Sequence, residues 1–433
     1  MRPSLRPILL FTKAAVKYLL RATFDAPDQG FANGQVLKTA AVGVQDGQLT
    51  VVEVDGTLAI SGNKCAFTAQ ATPAWGDLGF YSQAITRALG RGLLGTINLA
   101  ATNKSPLVMW SNAQAISYAN ADGNSVVFSN VGTILIIDSA GLGPAVSSYS
   151  ASTDYQLAIV LGGYDAANGV PWRSGQAAAS YLYGAAFFIK GGAFTNWTLL
   201  WRTSQGNTAT LYAAFSNYDA AGTIELPSGV PDVDLSAVLQ PTCLSLFATD
   251  GELDAYTPEL GSVWAENTGD WDTASGILRN TALGIATFNS GIANLIYDVK
   301  VTMPASGTTA GGLIVRFTDT SNYWYIKLTP GTANADFELV EVNAGTPTTR
   351  ASADIDWVAS TAYNIRVIVA GSTYWKVYVA GVEKLTYTTT NTFNQAATIC
   401  GLRDEGNANF VAFDNAAVFA RTSSVYKSTL GAV

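Results

Sequence analysis

The sequence predicts an all-β protein made of two tandem antiparallel β-sandwich domains. Three observations carry that prediction: apolar residues recur with a period of two, turn-forming clusters separate short apolar runs, and one order of segments is laid down twice. Alternation is clearest in the second half. Tyr363, Ile365, Val367 and Val369 fall on one side of an extended segment while Asn364 and Arg366 fall on the other, as a strand with one buried face requires. Trp375, Val377 and Val379 alternate with Lys376 and Tyr378. Ala380-Gly381 then supplies a tight turn, and Val382 to Tyr387 returns as the second arm of a hairpin. Upstream, Leu313 to Phe317 and Tyr323 to Leu328 flank the turn-rich Thr318-Asp319-Thr320-Ser321-Asn322 and form another hairpin. Sustained helical periodicity is nearly absent outside residues 13 to 21, so a parallel sheet built with crossover helices is disfavoured.

The first half carries the same order of events. Thr23-Phe24-Asp25 matches Leu246 to Asp250, Asp55 to Gly62 matches Gly269 to Leu278, and Ser152 to Val160 parallels Ser360 to Ile368. The run from Phe187 through Gly191-Gly192 to Trp197, Leu199 and Trp201 supplies the hairpin of the first copy. Leu211 to Ile224 closes that copy as Phe410 to Phe419 closes the second. A repeat this long is a duplicated domain rather than a solenoid unit. Between the copies, Pro227, Gly229, Pro231 and Pro241 favour an extended, semi-rigid linker. The expected organisation is an arm over 1–21, a first domain over 22–226, a linker over 227–242, a second domain over 243–421 and a tail over 422–433.

Hydrophobic residues make up 48% of the chain and charged residues 13%, a charged share about half that of an ordinary soluble domain. Ala, Thr, Ser, Asn and Gly fill the difference, a composition suited to neutral strand faces and to proteins that pack into larger assemblies. A net charge of -8, with 24 basic residues scattered against 32 acidic ones, leaves no cationic stripe for a polyphosphate and argues against nucleic acid. Cys65, Cys243 and Cys400 are far apart and odd in number, so buried free thiols are expected in place of a disulfide framework. No apolar stretch approaches the roughly 18–20 residues of a membrane helix. Arg2 and Arg6 before Pro7 to Phe11 imitate an export signal, but Lys13 and Lys17 interrupt the apolar run, and a docking arm is the expectation.

Three segments carry a family resemblance. Gly312 to Leu328, Arg366-Val367 with Val377-Tyr378-Val379-Ala380-Gly381-Val382, and the ending Phe413-Asp414-Asn415 resemble the laminin-G-like or concanavalin-A-like jelly roll. That likeness covers about residues 243 to 420 directly and 22 to 226 through the internal repeat. The tandem plan, the phenylalanine-containing start motif and Trp197-Thr198-Leu199-Leu200-Trp201 are also similar to bacteriophage virion proteins that display such domains on tails, fibres or capsids. The family resemblance implies a structural calcium ion near the start and end of each domain, where Asp250 meets Asp414 and, by the repeat, Asp25 meets Asp219. The competing reading is that these aspartates cap turns, since no dense ligand loop is present. No other cofactor is required.

With no histidine in the chain, Ser-His-Asp and Cys-His units and imidazole zinc ligands are excluded. Glycoside hydrolysis needs only two carboxylates. The Glu-x-Asp-x-x-Glu strand of the jelly-roll glucanases is absent, however, and the nearest pairs read as solvated turn residues: Glu252 with Asp254, Asp270 with Asp272, Asp232 with Asp234, Asp354 with Asp356. Trp75, Trp172 and Trp357 lie among turn residues and are candidate platforms for stacking on sugar rings, against the alternative that each plugs a loop onto the core. The expected role is a non-catalytic structural protein on the outside of a phage virion, partnered with other virion proteins in a trimer or larger assembly and binding surface glycans. The alternative is a secreted carbohydrate-binding adhesin or lectin, and the third reading is a glycan-degrading enzyme.

Overall fold

The computed structural model describes residues 18–22, 24, 36–37, 41–43 and 47–421, less 63, 103–104, 118, 120, 139–140, 166–167, 205, 207, 232–233, 281, 307–309, 332–335, 372–373 and 407–410. Most of the expected arm, the tail and Asp25 therefore lie outside the described residues. The period-two segments form antiparallel strands throughout, and the helical elements among the described residues are short 3-10 turns such as Ser236–Leu239.

The strands build two sandwiches of two sheets each. In the first, one sheet runs in the order Phe194–Thr203, Tyr183–Gly191, Asp154–Tyr164, Gly92–Leu99, Gly222–Pro231, Lys64–Phe67, Leu58–Ser61, Val36–Leu37, with Tyr18–Ala22 also paired to Gly222–Pro231. In the second, the matching sheet runs Val382–Tyr387, Tyr374–Val379, Ala362–Ala370, Leu295–Thr302, Ala412–Ala420, Ile277–Asn280, Trp271–Ala274, Gly251–Glu252, with Cys243–Ser245 on Ala412–Ala420. The order is the same, strand for strand. These two sheets face each other across the domain boundary and are called the joining sheets below. The outer sheets correspond over seven strands: Gly141–Ser148, Thr133–Asp138, Ala121–Phe128, Leu107–Ser111, Thr210–Asn217, Leu78–Ser82, Gln48–Glu53 in the first domain, which adds Ala41–Gly43 at the edge and Ile85–Thr86 on Thr210–Asn217, and Thr346–Ala353, Phe337–Asn343, Asn322–Leu328, Gly311–Asp319, Ile399–Glu405, Leu283–Asn289, Ala265–Thr268 in the second.

Local details repeat with the topology. Phe24 and Phe247, each just after the opening strand, are buried at φ 58 and 49. Left-handed φ in a bulky residue costs on the order of 1–3 kcal/mol and persists only where packing enforces it. Ser152 and Ser360 share φ 52 and 54 before the matching strands. The Tyr155 hydroxyl accepts from the Ser150 N–H at 2.8 Å, and the Tyr363 hydroxyl accepts from the Val358 N–H at 3.0 Å.

Each sandwich has its own interior. Trp110, Phe80, Phe215 and Ile136 fill the first, and Trp271, Trp324, Trp375, Val367 and Leu402 fill the second. The first cluster also extends into Ile296, Ile368, Tyr378, Ala417 and Phe419 on the second joining sheet, so the domains meet through a buried apolar layer. The Trp201 ring packs edge-on to Tyr378 at 4.5 Å and lies 4.4 Å beneath the Arg366 guanidinium, which forms a fork with Asp298 at 2.7 and 2.8 Å. Arg202 covers Phe419 at 4.2 Å and donates to the Leu239 carbonyl at 2.7 Å.

Two expected boundaries move. Tyr18–Ala22 is a strand of the first sandwich with Leu20 fully buried, so residues 18–21 do not belong to an arm. The expected extended linker is built into the first domain: Gly222–Pro231 continues the joining sheet, and Leu235, Val238 and Leu239 are buried around a 3-10 turn. Pro227 is tolerated because the ladder to Gly92–Leu99 shifts register between Glu225 and Gly229, where no amide donor is needed. Cys65, Cys243 and Cys400 are buried free thiols.

Candidate functional site

The outward face of the second domain's outer sheet carries a groove of about 490 Å³. Strand register assembles it. One row across the sheet pairs Ile285 with Arg403, Arg403 with Gly312, Gly312 with Lys327, and Lys327 with Glu338. The neighbouring row pairs Gly401 with Ile314, Ile314 with Tyr325, Tyr325 with Val340, and Val340 with Thr349. A Cβ on Gly312 would run into the Ile326 carbonyl oxygen and one on Gly401 into the Ala286 carbonyl oxygen, so glycine at both positions lets the strands approach.

Beneath the groove lie two buried tyrosines, and one of its ends is charged. Tyr323 and Tyr325 are each 1% exposed, and burial pushes the Tyr323 hydroxyl up and the Tyr325 hydroxyl well above the ordinary phenol value, so both stay neutral. The Arg403 guanidinium lies over both rings, at 5.9 Å from Tyr323 and 5.3 Å from Tyr325, and donates to the Tyr323 hydroxyl. Four charges then alternate in sign: Arg403 meets Glu405 at 3.1 Å, Lys327 meets Glu405 at 4.0 Å, and Lys327 meets Glu338 at 3.9 Å. Thr349 donates to Glu338 at 2.7 Å. Toward the other end Val342, Pro347 and Gly345 form an uncharged wall. From Tyr323 to Lys327 the strand spans roughly 13 Å, the reach of a short oligosaccharide rather than a single ring.

Residues singled out from sequence lie elsewhere. Trp172 is buried, 7% exposed, and donates from Nε1 to the Gln176 carbonyl at 3.4 Å, so its faces are not available for stacking. Trp357 is half-buried against Phe337 and Tyr363, at 5.8 and 5.0 Å, with Nε1 donating to the Asp336 carbonyl. Trp75 is half-buried on the outer sheet of the first domain, 5.3 Å from Tyr218. All three fasten loops to the body, and none lines the groove. Asp250 is exposed and accepts from the Ser275 N–H at 2.6 Å, whereas Asp414 pairs with Lys300 at 3.0 Å, and the two are held by separate partners. Asp219 is partly exposed; its expected partner, Asp25, is outside the described residues. Among the described residues no group of three or more acidic, cysteine or histidine side chains is placed to hold a metal ion. Glu252, Asp270 and Asp272 do approach one another, and the two aspartates push the Glu252 carboxyl up, but Glu252 is exposed to solvent.

Sequence reasoning missed Lys327, Glu338, Arg403 and Glu405. The available signal was the alternation in Tyr323 to Lys327, which puts Tyr323, Tyr325 and Lys327 on one face.

No family model and no curated protein matches this chain. Solved structures with a similar course include a carbohydrate-binding module, CBM66 from Bacillus subtilis, at 16% identity over 36% of this chain and 95% of that one, TM-score 0.30. A GH43 protein, BlXynB from Bacillus licheniformis, matches at 10% identity over 90% of this chain and 98% of its own, TM-score 0.32. LamAcat from Zobellia galactanivorans matches at 7% identity over 42% and 99%, TM-score 0.30. At such scores the function rests on the geometry of the site itself.

Proposed function

We propose that this protein binds saccharides without cleaving them, through the groove on the outer sheet of its second domain. The observation that carries the reading is the alternating quartet Arg403, Glu405, Lys327 and Glu338 beside two buried tyrosines. A sugar hydroxyl both donates and accepts, so neighbouring hydroxyls fit a surface where donors and acceptors alternate, and charged partners strengthen each bond. The exposed Pro347 on the groove's uncharged wall suits the apolar face of a ring. Hydrolysis would need one carboxyl held as a proton donor. Here each carboxylate is tied to a cation, which supports the non-catalytic reading.

Placement on a phage particle, the first expectation from the tandem plan, the low charge and the likeness to virion proteins, gains no support from the fold or its neighbours, and the glycan-binding alternative takes its place. The test is a glycan array followed by titration calorimetry on the hits. Arg403→Ala is expected to weaken binding by at least about tenfold, the scale of one charge-assisted contact, in a chain that still unfolds cooperatively, while Trp357→Ala binds as wild type. Retained affinity in Arg403→Ala removes the groove from consideration.

A further inference from the structure

We infer that the groove selects uncharged saccharides and rejects those bearing carboxylates or sulfates; this rests on the saccharide-binding reading above. Two cations and two carboxylates line the charged end, and they are connected in one chain, Arg403 to Glu405 to Lys327 to Glu338, at 3.1, 4.0 and 3.9 Å. Each cation is already compensated. An anionic ligand group reaches Lys327 only by approaching both Glu338 and Glu405, and reaches Arg403 only beside Glu405, so it meets like charge wherever it meets opposite charge. A cationic amino sugar meets the mirror situation. A neutral hydroxyl meets neither, because it donates to a carboxylate and accepts from the neighbouring cation.

The spacing supports insertion. Lys327 stands 3.9 and 4.0 Å from its two carboxylates, longer than a direct hydrogen bond, so each of these pairs keeps hydrogen-bonding capacity that a bridging hydroxyl takes up. Arg403 is fixed more tightly, by Glu405, by the Tyr323 hydroxyl and by both tyrosine rings, and so offers its remaining N–H groups from a set position. Glu405 is the carboxylate shared by both cations, which makes it the residue that enforces neutrality.

The experiment uses the full chain and paired oligosaccharides of equal length: galactose with galacturonic acid, and glucose with glucuronic acid, each at low and high salt. The neutral member of a bound pair is expected to bind at least about tenfold more tightly than the acidic one, with an affinity that salt barely changes. Glu405→Gln leaves the groove with one excess positive charge and is expected to narrow or reverse that preference and to make binding of the acidic member salt-sensitive. Glu338→Gln should do the same in weaker form, because only Lys327 faces it. An acidic member bound as tightly as its neutral partner by wild type, or a preference unmoved in both Gln variants, overturns the inference while leaving a saccharide site standing. Absence of binding to any neutral or acidic glycan overturns the functional reading itself and this inference with it.

Discussion

On the outer sheet of the first sandwich, Leu107, Met109, Val127, Ile137 and Ala214 face away from the interior and are covered by Ile116, itself 2% exposed. Ile116 belongs to the connection between Leu107–Ser111 and Ala121–Phe128, which folds back across the sheet. Its side chain lies 2.9 Å from where a Cβ on Gly79 would stand. On the second sandwich the matching connection, between Gly311–Asp319 and Asn322–Leu328, is only Thr320-Ser321. That turn cannot reach back over the sheet, and the face there buries Ile314, Phe317, Tyr323, Tyr325 and Val340 in a cluster of its own, with the Arg403 guanidinium over the two tyrosine rings and Lys327 beside the groove. One strand order thus gives two surfaces. The two faces differ in what covers their apolar residues: a returning connection carrying Ile116 in the first sandwich, the Arg403 guanidinium in the second.

The largest test of this contrast concerns the strand beneath the groove. Ile399–Glu405 carries Arg403 and Glu405 outward and, by alternation, Asp404 inward, fully buried between Gly284 and Gly311 of the neighbouring strands. Burial outweighs a backbone hydrogen bond and pushes the Asp404 carboxyl up to about 7. In the first sandwich the matching strand ends near Asn217, equally buried, whose side chain bonds the backbone of Thr68 and Ala220. With the folded value raised, the unfolded chain releases its proton first. Asp404 therefore costs nothing below pH about 4, destabilises progressively as pH rises toward 7, and at neutral pH costs at most about 4 kcal/mol. Asp404→Asn, which copies the first domain's solution, is expected to raise the stability of the second domain by roughly 2–4 kcal/mol at pH 7.5 and to remove that pH slope, read by urea unfolding between pH 4 and 8. An unchanged slope would mean the carboxyl is solvated. Next in size, Ile116→Ala is expected to cost about 2 kcal/mol, the low end for a buried isoleucine because a loop can settle into the space, without conferring saccharide binding on the first domain. A new glycan affinity in that variant would show the covered face to be a second site held shut.

The strands, the duplication and the matching places of Phe24 and Phe247 were legible because they follow from local periodicity and local repetition. Ile365, Val367 and Val369 lie inside as expected, but Ile368 on the opposite face is buried too, because that face packs on the first domain. The linker was misread because prolines signal a break only locally; the register shift that accommodates Pro227 depends on a partner strand more than a hundred residues away. The groove was illegible for the same kind of reason. Lys327, Glu338 and Arg403 are ordinary charged residues on three strands, and only the pairing of Gly312 with both Lys327 and Arg403 brings them together. The tryptophans drew attention as large rings among turn residues. Such rings are as useful for anchoring a loop as for stacking on a ligand, and Trp172 and Trp357 each spend their N–H on a nearby carbonyl.

The smallest expected effect separates holding a residue from contacting a ligand. Tyr323→Phe keeps the buried ring and removes the hydroxyl to which Arg403 donates. Arg403 then retains Glu405 at 3.1 Å and the Tyr325 ring at 5.3 Å, so it stays in the groove with more freedom. The loss should be that of one hydrogen bond, roughly 0.5–1.5 kcal/mol, seen in calorimetry as a weaker affinity with the neutral preference intact. Tyr81 faces outward from the first domain's outer sheet, edge-on to Tyr212 at 6.4 Å. Tyr81→Phe changes the same atom on the matching surface and is expected to leave affinity unchanged. If both tyrosine variants weaken binding equally, the two faces act on the ligand together, and the division between a covered face and an open one fails.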